Sequence, residues 1–80
     1  GFTAKPHHIL LTGATGFVGA YLLHDLLKHT RAHIFCWIRA ENIEQGWTRL
    51  ENNLVQYNLE IKDLKERVTL VRVDPNEYPF

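Results

Sequence analysis

Apolar positions along the 80-residue chain alternate between two periods. His8-Ile9-Leu10-Leu11-Thr12 is a short apolar run that stops at glycine, the pattern of a strand buried on both faces. From Phe17 to His29 the apolar residues return at three- and four-residue steps. Val18, Leu22 and Leu26 run beside Tyr21, Leu23 and Leu27, which predicts an amphipathic helix. Gly19 and Ala20 fall in its first turns, where small residues permit close packing onto a sheet. His33-Ile34-Phe35-Cys36-Trp37-Ile38-Arg39 is rich in β-branched and aromatic residues and predicts a second strand. Ile43, Trp47, Leu50, Leu54 and Tyr57, at spacings of 4, 3, 4 and 3, write a second helix. Gly46 weakens that helix by about 1 kcal/mol relative to alanine without interrupting the stripe. A short polar linker with helical leanings (62–66) leads to a third strand over Arg67–Val73, which Asp74-Pro75 ends, and the tail from Asn76 to Phe80 reads as irregular.

The order β-α-β-α-β requires parallel strands and right-handed crossovers. The expected fold class is therefore α/β: half of a Rossmann-type, doubly wound parallel sheet, with strand order 3-2-1.

The junction of the first strand and first helix carries the strongest chemistry. Thr12-Gly13-Ala14-Thr15-Gly16-Phe17-Val18-Gly19 spaces three glycines as G-x-x-G-x-x-G, a shifted relative of the dinucleotide fingerprint. Gly13 is expected to let the chain turn, Gly16 to let backbone approach a diphosphate, and Gly19 to let the helix pack tightly. The helix then presents its free N–H groups and positive dipole end to an anion, and Thr15 can add a hydroxyl. The second strand selects the dinucleotide. An acid at its end would bind a ribose 2′-hydroxyl, whereas an arginine grips a 2′-phosphate. Arg39 leaves this strand, which favours NADP(H). Glu41 keeps an NAD-type site open, although an acid in the first turn of the second helix also suits the macrodipole. Arg49 is either a second phosphate contact or a solvated surface residue. Asp74 is placed to accept from the adenine amino group, or to make only a turn.

Composition narrows the partners. Nine Lys+Arg balance nine Asp+Glu, which argues against general nucleic-acid binding, and no apolar run approaches the ~20 residues of a membrane span. A single cysteine excludes an internal disulfide and suggests a reducing, cytoplasmic setting. Cys36 itself reads as a buried small hydrophobe. His7-His8 and the pair His24 and His29, five apart, do not have metal-ligand spacing, so no metal is expected. The chain starts at Gly1 and has no Met, so residues 1–80 are expected to be one truncated NAD(P)-binding domain. With the first strand left at a sheet edge, self-association is expected as well.

These residues also carry a resemblance. Residues 9–23 with the glycine loop, Cys36-Trp37-Ile38-Arg39-Ala40, and then Arg49-Leu50 and Asn53-Leu54 resemble the opening of a thioester reductase domain. Such domains are extended short-chain dehydrogenases found in nonribosomal peptide synthetases, carboxylic acid reductases and aminoadipate reductases. The resemblance implies NADPH-dependent reduction of an acyl or peptidyl thioester, carried on the phosphopantetheine arm of a carrier protein, to an aldehyde or alcohol. It implies that Thr15, Gly16, Phe17 and Val18 cradle the diphosphate, that Arg39 holds the 2′-phosphate and that Asp74 meets the adenine. Two departures stand out. The family usually has Gly-Asp-Leu after the third strand, where this chain has Val73-Asp74-Pro75. Its catalytic Tyr-x-x-x-Lys is also missing, since Asp25 follows Tyr21 by four and Ile61 follows Tyr57 by four. No catalytic residue is therefore assigned, and cofactor binding without turnover is expected. The alternatives are a fatty acyl reductase, a nucleotide-sugar-type extended dehydrogenase, or a non-catalytic nucleotide-binding or interaction module.

Overall fold

The computed structural model describes residues 2–5 as backbone and residues 8–76 in full. Its elements are β1 (Phe2–Lys5), β2 (His8–Thr12), α1 (Phe17–His29), β3 (His33–Arg39), α2 (Ile43–Gln56), α3 (Leu64–Arg67) and β4 (Val68–Val73). The four strands form one sheet in the order β1-β2-β3-β4. β2, β3 and β4 are parallel, with Ile9 beside Ile34 and Ile34 beside Val68, then Leu11 beside Cys36 and Cys36 beside Leu70. This is the expected β-α-β-α-β unit in the expected strand order.

Three features depart from the sequence reading. β1 pairs antiparallel along the outer edge of β2, from Phe2 opposite Leu11 to Lys5 opposite His8. The edge expected to drive self-association is therefore covered by the chain's own first residues. The second departure concerns burial. The rows through Ile9, Leu11, Ile34, Cys36, Val68 and Leu70 are buried with the α1 and α2 residues Leu23, Leu27, Leu50 and Leu54 in one core. Leu10, Phe35, Trp37 and Val71, which point the other way, are only half-buried, so β2 is covered on one face rather than two. Third, the buried stripe of α1 runs through Gly19, Ala20, Leu23 and Leu27, while Val18 is 72% exposed. The two small residues bring the start of the helix so close to the loop that its axis rolls, leaving Val18 outside and Leu22 and Leu26 on the flank.

The helix ends are fixed by local chemistry. Asn42 caps α2, its Oδ1 accepting from the Gln45 N–H, while Gln45 Oε1 accepts from the Glu41 N–H. Glu41 thus precedes the cap, and Glu44 is the acid of the first turn. The far end closes as a Schellman motif. Asn58 takes a left-handed φ of 59°, its N–H bonds to Val55 O, and Leu59 N bonds to Leu54 O at 2.8 Å. Arg67 holds the C-terminal end of α1, donating to the carbonyls of Leu27, Thr30 and Ala32 at 3.1, 2.8 and 3.0 Å. A cation there also complements the negative end of the helix dipole. The expected irregular tail lies outside the described residues beyond Asn76, as does His7.

Candidate functional site

The turn from β2 into α1 is shaped by its first and last glycines. Gly13 has φ +75°, a left-handed conformation that a side chain strains. At Gly19, a Cβ would stand 1.9 Å from the Gly13 carbonyl oxygen and 2.9 Å from the Ala14 Cα. The close approach therefore joins the helix to the loop's own backbone, rather than to the strands as the sequence suggested. Gly16 forms the N-cap of α1, with no side-chain hydrogen bond to the cap and no acid in the first turn. Its carbonyl starts the helix by accepting from the Ala20 N–H at 2.9 Å, and its own N–H bonds to Gly13 O at 3.2 Å. A Cβ on Gly16 would meet the Gly13 oxygen at 3.7 Å, an ordinary contact, so no neighbour within the chain requires glycine there. Phe17 and Val18 are exposed in the first turn.

Beside this loop lies a cleft of about 260 Å³. Thr12, Gly13 and Thr15 form one wall; Trp37, Ile38 and Arg39 from β3, Arg49 from α2 and Val73 from β4 form the rest. The fold thus brings Gly13, Thr15 and Arg39 onto one cleft and sets Gly16, Phe17 and Val18 beside it. Arg49, ambiguous from sequence, faces the same cleft and donates from Nη1 to the Arg39 carbonyl. Arg72 Nη1 likewise donates to Ala40 O at 2.9 Å, so two guanidiniums grip the chain where it leaves β3. The cleft therefore has the glycine turn that feeds the α1 start in one wall and cationic side chains in the others, an arrangement that can hold an extended phosphorylated ligand.

Asp74 is not among the residues lining the cleft. Its Oδ1 accepts from the Asn76 N–H at 2.8 Å, so the carboxylate makes the turn that the Asp-Pro pair announced. Glu41 is exposed and also lies off the cleft wall. Cys36 is fully buried in β3, and desolvation pushes its thiol pKa up from 9.0 to about 12, so it is a core residue. Among the described residues no three His, Cys, Asp or Glu side chains converge, and no helix is long and apolar enough to cross a membrane. The sequence reading counted Asn53 in the resemblance but gave it no role; its Nδ2 donates to Ala14 O at 3.2 Å and Gly16 O at 3.1 Å, tying α2 to the loop. The signal was an amide set among the apolar residues of the second helix, one step before Leu54.

Parallel strands, a left-handed glycine turn and an uncapped helix start together define a Rossmann-type nucleotide-binding unit. The family model NAD_binding_4, described as Male sterility protein, matches residues 11–80, and the chain belongs to that family. The resemblance to thioester reductase domains is borne out by relatives of that kind. The isonitrile lipopeptide synthase of Streptomyces coeruleorubidus is 39% identical over 70 residues, 86% of this chain. The terminal R domain from the myxalamid PKS-NRPS biosynthetic pathway shares 43% identity at a TM-score of 0.80 over 90% of this chain. A thiolation-reductase di-domain from an archaeal non-ribosomal peptide synthetase shares 28% identity at a TM-score of 0.73 over 88% of this chain. The chain spans 5% of the lipopeptide synthase and 18% and 19% of the two structures.

Proposed function

We propose that this chain is the NADP(H)-binding portion of a reductase that converts a carrier-protein-bound thioester to an aldehyde or alcohol. Residues 1–80 would form one part of that larger catalytic domain. The observation that carries the reading is the shared cleft, lined by Gly13 and Thr15 of the glycine turn that leads into an uncapped helix start, and by Arg39 and Arg49. In this reading the backbone around Thr15, Gly16, Phe17 and Val18 holds the diphosphate, with Gly13 and Gly19 setting the turn. Arg39, backed by Arg49, holds the ribose 2′-phosphate. Two arginines fit a phosphomonoester better than a hydroxyl. Asp74 meets the adenine only through the carboxylate oxygen that does not hold the Asn76 turn. When bound, NADPH supplies hydride.

The carrier protein partner is supported by the archaeal relative, in which a thiolation domain and a reductase domain occur together. A phosphopantetheine-linked acyl or peptidyl thioester is the substrate class that follows. The buried, unpaired Cys36 suits a reducing, cytoplasmic setting.

Calorimetric titration with NADPH and NADH, on the wild type and Arg39→Ala, tests the cofactor assignment. One charge-assisted grip predicts about tenfold or more preference for NADPH in the wild type, lost in the variant. Equal affinities for the two cofactors, unchanged by the substitution, would overturn it.

A further inference from the structure

Among the described residues, Asn53 is the one polar side chain that is buried, 9% exposed on a helix face shared with Leu50 and Leu54. A buried amide without partners costs about 1–3 kcal/mol, so its place on an apolar face calls for partners. Both Nδ2 hydrogens have them, in the carbonyls of Ala14 and Gly16, 39 and 37 residues away along the chain.

The consequence lies on the other side of those two peptide groups. No peptide bond among the described residues is cis, and a trans peptide holds its C=O and N–H pointing in opposite directions. Pinning the Ala14 oxygen onto a buried side chain, and adding a second hold on the Gly16 oxygen beside its helical bond from the Ala20 N–H, therefore aims the N–H groups of Thr15 and Phe17 outward. Thr15 lines the cleft, and Phe17 stands exposed in the uncapped first turn of α1. The same two bonds keep two carbonyl dipoles turned away from any anion that settles there. We propose that Asn53 is the positioning residue of the loop: it acts from α2, without touching the ligand, to present the Thr15 and Phe17 amides to the diphosphate of a dinucleotide. This rests on the nucleotide reading above.

The test separates the diphosphate from the rest of the ligand. Wild type, Asn53→Leu and Asn53→Asp are titrated with NADPH and, separately, with adenosine 2′-monophosphate, which carries the ribose phosphate but no diphosphate. Circular dichroism and thermal melts establish that each protein is folded at the titration temperature. Leucine removes both donors, and aspartate sets a carboxylate against two carbonyl oxygens. Both variants should lose about tenfold or more in NADPH affinity, the worth of two aimed hydrogen bonds, and keep adenosine 2′-monophosphate within about twofold. A residue that merely stabilised the fold would weaken the two ligands together. That result, or a folded Leu variant holding NADPH as tightly as wild type, overturns the proposal. If Asn53→Leu does not fold, Asn53→Asp and Asn53→Ser are read by the same criteria. A wild type that binds adenosine 2′-monophosphate but gains nothing from the rest of NADPH overturns the positioning role alone. A wild type that binds neither overturns the nucleotide reading and this proposal with it.

Discussion

Gly19→Ala puts the geometry of the loop to a quantitative test. The added methyl would lie 1.9 Å from the Gly13 carbonyl oxygen and 2.6 Å from its carbon. Carbon–oxygen contacts settle at about 3.3–3.6 Å, so loop and helix must separate by at least about 1.4 Å. The obstacle is main chain, which cannot rotate aside as a side chain does. Overpacking of this kind costs about 1–3 kcal/mol, and displacement of the Gly13 oxygen also breaks its 3.2 Å bond from the Gly16 N–H, worth about 1 kcal/mol. Alanine's better helix propensity returns about 1 kcal/mol. A net loss of roughly 1–3 kcal/mol follows, which at about 4–8 °C per kcal/mol is a fall in Tm of roughly 4–24 °C. Gly46→Ala is the matched control. Its Cβ would meet Leu70 Cδ1, the end of a flexible side chain, at 3.1 Å and the Ile38 Cγ2 methyl at 3.2 Å, so these side chains need give only a few tenths of an ångström where Gly19 meets main chain at 1.9 Å. The same propensity gain applies there, so its stability should stay within about 1 kcal/mol of wild type. Thermal unfolding followed by circular dichroism reads both variants. A Gly19→Ala protein as stable as Gly46→Ala would refute the idea that backbone contact fixes this glycine.

Two further predictions concern the core. Arg67→Leu strips three carbonyls at the end of α1 of their charged donor and should cost about 2–3 kcal/mol, measured as a lower urea midpoint with unchanged slope. Burial raises the Cys36 thiol in the folded chain from 9.0 to about 12, so the unfolded chain loses this proton first as pH rises. Its stabilising contribution is therefore complete below pH 9 and lost progressively between pH 9 and 12; in urea melts across that range Cys36→Ala should show a smaller decline than wild type, and parallel curves would refute the assignment.

Local pattern reached most of the fold because each helix and each parallel strand carries its own period. The Ile43 to Tyr57 stripe, the glycine junction and the β-branched runs all needed only neighbours within a few residues. What escaped depended on contacts across the chain. Residues 2–5 carry no alternation strong enough to announce a strand; their pairing is decided by the free edge of β2, which only the assembled sheet offers. The buried face of α1 was misjudged because Val18 is more apolar than Gly19. The close approach of Gly19 to Gly13, a tertiary fact, outweighs that difference. At the site, Gly13, Gly16 and Arg39 were legible as residue types at telling spacings. Arg49 remained ambiguous, since a cation on a helix reads the same whether it faces solvent or a cleft.

Arg49 and Asn53 show why the loop cannot be understood as a local motif. They stand four residues apart on α2, one helical turn of about 5.4 Å, and so project from one side of it. One donates to the Arg39 carbonyl at the exit of β3, and the other to the Ala14 and Gly16 carbonyls of the glycine turn. A single rigid helix thereby spans both ends of the cleft and sets the distance between them. The crossover helix of a βαβ unit is usually credited with covering the sheet, which Leu50 and Leu54 do here. Arg49 and Asn53 add a second task, because any shift of α2 moves the arginine and the anchored glycine turn together. The two ends should therefore behave as one unit: a change that loosens α2 as a whole weakens the grip at both. Substitutions at Asn53 alone should separate them, which is what makes that residue the more informative place to cut.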